Sequence, residues 1–411
     1  MVRCGAVFSA TGRGMPDRSA FGPVRLVVIQ PTPYCNLDCD YCYLGDRGNR
    51  SRLDLDLLLD PILDRVLESP FVDGDFTVLW HAGEPMAMPI DFYDQATARI
   101  RAAEARHRGG PLTIHQSLQT NGTLIDQRWC DCFLRNDIAV GVSLDGPAFL
   151  HDAHRVTRKG LGTHAATMRG IDVLRRNGIP CSVIAVLTDD SLDHADAIFS
   201  FFQEHGLQDV GFNMEETEGS NRESSLSRSG SEARYGAFLE RIWELNEGAD
   251  QPLRLREFEI TASLACSDER LCRTDLNNPF VIVNVDHRGN FSTFDPELLA
   301  VQTDTYGTFV LGHVLTDSLE SVITTPAFQR MQRDMAAGVE MCRSSCDYFG
   351  LCGGGAGSNK YWEHGTFACA ETQACRYRVK RVADVVLAAL ERSLGLAGER
   401  DHAPGVASFT A

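Results

Sequence analysis

Residues 33–43 read PYCNLDCDYCY and place the thiols of Cys35, Cys39 and Cys42 in one short loop. Clustered thiolates are soft ligands that select zinc or iron–sulfur clusters. A structural zinc takes four protein ligands, so these three would need a distant fourth. A four-iron cluster can use three thiolates and leave one iron open to another ligand. Near the other end, Cys342, Cys346, Cys352 and Cys375 offer four thiols, enough for either metal. Cys4, Cys130, Cys132 and Cys181 lie apart from these sets and read as packed thiols.

These loops need a scaffold. From residue 24 to 214, short β-branched runs alternate with stretches of helical period, the pattern of βα units on a parallel sheet. The predicted strands are 24–30, 76–80, 113–119, 138–144, 181–187 and 209–214. Six units make an α/β fold with a partial (β/α)6 TIM-like barrel, whose chemistry belongs on loops at the C-terminal strand ends. The Cys35–Cys42 loop, WHAGEP (80–85), SLQTNGTLID (117–126) and SLDGPAFLHDAHR (143–155) all follow predicted strands. The expected division is a loose N-terminal tail at 1–23, the barrel at 24–216, and a linker with bridging helices at 217–279. A second domain at 280–377, opened by a β-hairpin at 281–294, and a C-terminal helix and tail at 378–411 complete it.

Composition narrows the partners. With 39 basic and 56 acidic residues the net charge is −17, which argues against nucleic acid and anionic membrane surfaces. No apolar run approaches membrane-spanning length, and the first twenty residues lack a signal-peptide h-region. The expected location is cytoplasmic, where fourteen cysteines favour metal ligation over disulfides.

The Cys-x3-Cys-x2-Cys spacing after the first strand, with Tyr41 before the third thiol, resembles the radical SAM enzymes. That resemblance implies a [4Fe–4S] cluster on Cys35, Cys39 and Cys42, whose open iron binds S-adenosylmethionine (SAM) and drives its cleavage to a hydrogen-abstracting radical. WHAGEP is similar to the family's Gly-Gly-Glu-Pro motif, with Gly83 allowing close backbone approach and Glu84 accepting from the SAM ammonium. By the same resemblance Tyr41, Asn121, Ser143 and Asp145 contact the cofactor, Arg155 holds its carboxylate and Leu187 flanks the adenine. His81 either faces substrate or packs.

Cys342, Cys346, Cys352 and Cys375 resemble the ligands of one auxiliary [4Fe–4S] cluster in the C-terminal SPASM domain of peptide-modifying radical SAM enzymes. A second auxiliary cluster is not expected, because Phe294 and Ala356 stand where two of its thiolates belong. Cys266, Cys272 and Cys369 remain unassigned. Asp295 falls where sulfatase-maturating members carry a catalytic base; an Asp-Pro turn is the plainer reading. The stretches GFNMEE, GNFSTFDPELL and CGGGAGSNK are most similar to maturases that build cyclophane crosslinks in Gly-rich precursor peptides. Formylglycine formation on a sulfatase is the alternative, and a non-catalytic electron carrier is the alternative of another class. The implied partners are a precursor peptide and a small electron donor such as flavodoxin or ferredoxin. Anaerobically reconstituted protein is expected to cleave SAM to 5′-deoxyadenosine. The triple Cys→Ala change at 35, 39 and 42 should stop it, as read by chromatography of the nucleoside.

Overall fold

The computed structural model describes residues 21–299 and 301–396, so most of the expected N-terminal tail and the last fifteen residues of the C-terminal tail lie outside it. Each barrel strand forms where apolar side chains meet its buried face. The first is β1 (Leu26–Ile29), and in β2 (Phe76–Trp80) Phe76, Val78 and Trp80 alternate inward. β3 (Ile114–Thr120), β4 (Ile138–Ser143), β5 (Cys181–Leu187) and β6 (Asp209–Met214) follow, each within two residues of its sequence expectation. Helices α1 (Asp60–Leu67), α2 (Ile90–Arg106), α3 (Gln127–Asn136), α4 (Ala148–His154), α5 (His164–Arg176) and α6 (Ala195–Glu204) connect them. Local signals set their ends. Asp126 caps α3 by accepting from the Trp129 amide at 3.0 Å, and Asp137 closes it in the left-handed region, φ 53°.

The sheet does not stop at six strands. Beyond α7 (Ser231–Glu247), β7 (Arg254–Leu255) adds parallel to β6, followed by α8 (Arg256–Ala265). The predicted hairpin is present as β8 (Ile282–Val285) and β9 (Asn290–Thr293), but it does not open a separate sheet. β8 pairs parallel to β1, Leu26 opposite Ile282, on the edge that an incomplete barrel leaves free. The small hairpin β10 (Gln302–Thr303) and β11 (Gly307–Thr308) stands apart, and β12 (Gly312–His313) pairs antiparallel with β9. The resulting ten-stranded sheet runs β12-β9-β8-β1-β2-β3-β4-β5-β6-β7. The C-terminal part is otherwise helical: α9 (Pro326–Ser345), α10 (Phe349–Cys352), α11 (Gly357–His364), α12 (Gln373–Cys375) and α13 (Val382–Ser393).

Two apolar joints hold that part in place. Phe71, Phe280 and Phe328 stack, with centroids 4.6 and 5.6 Å apart, and Phe21 meets all three edge-on. Phe280 bridges barrel and α9, fully buried, with φ at 62°. Elsewhere Phe294, Leu298, Tyr306, Phe309, Met335 and Phe367 form a compact apolar cluster. Phe280→Ala is expected to cost about 3–5 kcal/mol, read as a lower midpoint of denaturant unfolding.

Candidate functional site

The thiol loop, between β1 and α1, has little regular structure of its own, so its backbone is satisfied by neighbours. The Cys35 amide donates to Arg47 O at 3.0 Å, the Asp38 amide to Val156 O at 2.8 Å, and Arg158 Nε to Cys35 O at 3.0 Å. Amides also point at sulfur: Leu37 N lies 3.4 Å from Cys35 Sγ, and Asn121 Nδ2 lies 3.9 Å from it. Burial pushes the thiols of Cys35 and Cys39 up to about 12 and about 11. Bare thiols there are poor nucleophiles, whereas a bound cationic metal would compensate their charge.

The segment at 217–232, expected to be a linker or surface loop, instead clamps this loop from the far side. Ser220 N donates to Tyr43 O at 2.9 Å and Ser220 Oγ to Cys42 O at 2.7 Å. Gly219, at φ 55°, leaves no room for a side chain, since a Cβ would sit 2.2 Å from Tyr43 O. Its Ser and Gly residues serve tight contacts here rather than flexibility.

Gly83 is equally constrained, at φ 91°, where a Cβ would meet Thr32 O at 2.2 Å. Ala82, in the position of a family glycine, also takes positive φ, 66°. Glu84 is buried, and its oxygens accept from Met86 N, Thr120 Oγ1 and Asn121 N at 3.0, 2.7 and 3.0 Å. Three of a carboxylate's roughly four acceptor sites are therefore filled. Glu84 ties the ends of β2 and β3 together and keeps at most one site for an ammonium. Asn121 reaches Asn36 Oδ1 at 2.9 Å, so its amide faces the thiol loop.

Arg155 and Asp145, both expected to contact the cofactor, meet each other at the end of α4. Both are buried and paired with each other, Nε to Oδ2 at 2.8 Å and Nη2 to Oδ1 at 3.0 Å. Asp145 also accepts from Tyr41 Oη at 2.6 Å and Val186 N at 2.9 Å. Its acceptor sites are filled, which leaves none for a ribose hydroxyl. Arg155 spends two of its five N–H donors on Asp145 and keeps Nη1 and the second hydrogen of Nη2 outside the pair. The physical reason for the pairing is that an unpaired charge at this depth costs several kcal/mol. Tyr41 is likewise engaged with Asp145, with the Arg155 guanidinium 5.4 Å from its ring centroid. Ser143 Oγ accepts from Gln119 Nε2 at 3.0 Å and keeps its own proton to donate. Leu187 is wholly buried in the core rather than bordering an open site. His81 has an unpartnered Nδ1, and burial lowers it to about 4, so its ring is neutral at physiological pH.

Beside the motif opens a cavity of about 550 Å³, bordered by Ala82 and Tyr43 on the barrel side and by Asn284, Glu297, Tyr361 and Trp362 on the other. Asp295 lies behind Glu297, buried, accepting from the Ser358 amide at the start of α11 at 2.9 Å. Desolvation raises Asp295 to about 6 and Glu297 to about 8, with neighbouring carboxylates adding to the rise. Glu218 is raised too, and its Oε2 has no partner. Glu216 pairs with Arg378 at 3.0 Å. Sequence reading singled out Asp295 alone. Glu216 and Glu297 lay within GFNMEE and DPELL, but only folding brings them to Asp295.

Cys342, Cys346, Cys352 and Cys375 line one cavity of about 60 Å³ together with Lys360 and Lys380, whereas Cys369 does not border it. Amides of Gly354 and Gly355 point at Cys352, and Thr372 N donates to Cys375 Sγ at 3.4 Å. Four soft donors with amide support around a small void fit an iron–sulfur centre. Among the described residues no three such side chains converge tightly enough for a single ion. Phe294 belongs to the apolar cluster described above and Ala356 immediately precedes α11, so neither position offers a ligand. Cys266 is exposed at the end of α8.

The sequence profile of the Radical SAM superfamily matches residues 29–202. The Synechocystis sp. protein sll1766 is 57% identical over 93% of this chain and 96% of its own length. A serine-type anaerobic sulfatase-maturating enzyme of Klebsiella aerogenes is 31% identical over 54% of this chain, and the match spans about half, 53%, of that enzyme. Among solved structures, anSMEcpe with bound AdoMet and the Cp18Cys peptide superposes with a TM-score of 0.71 at 21% identity, covering 91% of this chain and 99% of that one. Streptococcus suis SuiB bound to the precursor peptide SuiA gives 0.60 at 15%, covering 87% and 76%.

Gly219→Val should lower iron content and SAM cleavage by displacing Tyr43 and Cys42. Gly236→Ala, inside α7 with its Cβ at an ordinary 3.7 Å from Arg381 Cδ, should leave both near the parent level. The raised carboxyls hold protons in the folded state that the unfolded chain releases near pH 4. Their contribution to stability therefore falls as pH rises through the values of Asp295 and Glu297, about 6 and about 8. Unfolding midpoints should decline from about pH 4, where the unfolded carboxyls ionise, up to about pH 8, and Glu297→Gln should flatten the decline.

Proposed function

The chain carries a radical SAM domain, is an enzyme and belongs to one family with sll1766, and on that premise we propose that it is a peptide maturase. Its reaction joins an aromatic ring to a side-chain β-carbon of a ribosomally made precursor peptide. The observation that carries this reading is the roomy cavity between Ala82 and Trp362, bordered by the carboxyl of Glu297 with Asp295 buried close to it in sequence. It has space for two neighbouring peptide side chains and aromatic walls against which a ring packs. The likeness in fold to SuiB, solved with a precursor peptide, supports the same substrate class.

The residues that would hold the groups are Cys35, Cys39 and Cys42 for the SAM-ligating cluster and Cys342, Cys346, Cys352 and Cys375 for the auxiliary one. Bound there, the first supplies a radical that abstracts hydrogen from the substrate carbon, and the second an acceptor for one electron. Forming the ring–carbon bond then requires the ring to lose one proton. In this reading Asp295, buried next to Glu297, takes that proton through Glu297, which borders the cavity. His81, neutral and unpartnered at Nδ1, is a second acceptor next to the motif.

Formylglycine formation is the second reading, supported by the sulfatase-maturating enzymes that match about half of their length to this chain. Co-expression with a short repeat-rich precursor separates the two. Crosslinking removes two hydrogens per bond and abolishes fragmentation between the joined residues. Formylglycine from Ser removes the same mass with fragmentation intact. An unmodified precursor beside a sulfatase bearing a new aldehyde would overturn the crosslinking reading. Total iron should be about eight per chain from two four-iron clusters.

A further inference from the structure

Lys360 is a buried cation that no carboxylate of the described residues pairs with. Its side chain is on α11, only 1% of the residue is exposed, and its ammonium makes one hydrogen bond, to Cys342 Sγ at 3.6 Å. No salt bridge of the described residues includes it, unlike the neighbouring Lys380, which pairs with Glu371. The packing around it is tight. A Cβ on Gly338 of α9 would lie 2.9 Å from Lys360 Nζ and 2.1 Å from Phe367 O, so that glycine opens the space for the ammonium. An isolated ammonium at this depth costs several kcal/mol unless an anion offsets it. Lys360 borders the same cavity of about 60 Å³ as Cys342, Cys346, Cys352 and Cys375; the carboxylate also bordering it, Glu371, is taken up by Lys380 and Arg376, which leaves the sulfurs as its anionic candidates.

We infer that Lys360 is the charge partner of the auxiliary cluster and sets its reduction potential. A four-iron cluster held by four thiolates is a net anion in both of its common states, and gains one further negative charge on reduction. A fixed positive charge at a ligand sulfur, in a medium of low dielectric, favours the more negative state. Lys360 thus raises the potential and makes the centre a better acceptor of one electron. It is a positioning residue acting through Cys342, and it need not touch substrate. Lys380 borders the same cavity, but its charge is balanced by Glu371, so its influence is smaller. The inference rests on the reading of Cys342–Cys375 as a [4Fe–4S] site, and the test separates the two.

The experiment is an EPR-monitored redox titration of the full-length chain with Cys35, Cys39 and Cys42 changed to Ala, which isolates the auxiliary signal. Against that background Lys360→Met should lower the equilibrium constant for cluster reduction at least tenfold, which is 59 mV for a one-electron couple. Lys360→Arg should stay near the parent value, and Lys380→Met should shift it less than Lys360→Met. Loss of the cluster in Lys360→Met with retention in Lys360→Arg also supports charge pairing. An unchanged potential in Lys360→Met, or loss of the cluster in both Lys360 variants, overturns it. Absence of iron from the background protein overturns the auxiliary-cluster reading, and this inference with it.

Discussion

The buried pair of Asp145 and Arg155 is the interaction on which the mouth of the barrel depends. Asp145 takes up the turn after β4, Arg155 the end of α4, and Tyr41 and the Val186 amide close on the same carboxylate. One carboxylate thereby joins the thiol loop, α4 and the end of β5. Two buried charges satisfied mutually tolerate this depth, whereas either alone would not. The arrangement also brings a guanidinium beside Cys39, whose thiol it favours in the ionised form. The pair therefore frames the loop that carries Cys35, Cys39 and Cys42.

Around that frame, loops distant in sequence share the work of holding Cys35, Cys39 and Cys42. Residues 154–158 stitch the near side, Glu84 and Asn121 close the floor, and Gly219–Ser220 press on the far side. An irregular loop cannot satisfy its own backbone, so precision has to come from several partners. The same logic appears at the second thiol set, where glycine-rich turns aim amides at sulfur and α11 delivers a buried ammonium. A separate cavity, bordered by Ala82, Tyr43 and Trp362, also carries the Glu297 carboxyl, held toward its neutral form by burial.

Much of the scaffold was legible in the sequence because its signals are local. Alternation in FTVLW and SVIAVL marks strands, and Asp126 before an amphipathic stretch marks a helix start, without knowledge of what lies across the sheet. The thiol sets were legible because ligand type and spacing are themselves the chemistry. The hairpin at 281–294 was recognised, but its membership of the barrel sheet was not, since strand partners are chosen by an open edge at β1 and not by the hairpin's own residues. The Ser- and Gly-rich stretch at 217–232 read as a linker because composition cannot distinguish flexibility from tight apposition.

What the sequence by itself determined was the alternation that builds a parallel sheet, the turns that end each strand, and the donor atoms in the Cys35–Cys42 and Cys342–Cys375 stretches. What only the tertiary structure decided was which charges meet. Arg155 had the chemistry to hold a carboxylate, and folding assigned it one from Asp145. Glu297 and Glu216 had no visible role until packing set them around Asp295, and Lys360 had none until α11 buried it against Cys342. The physical reason is that hydrogen-bond and charge partners are selected by proximity across long sequence separations, while strand and helix signals are written within a few residues of each other.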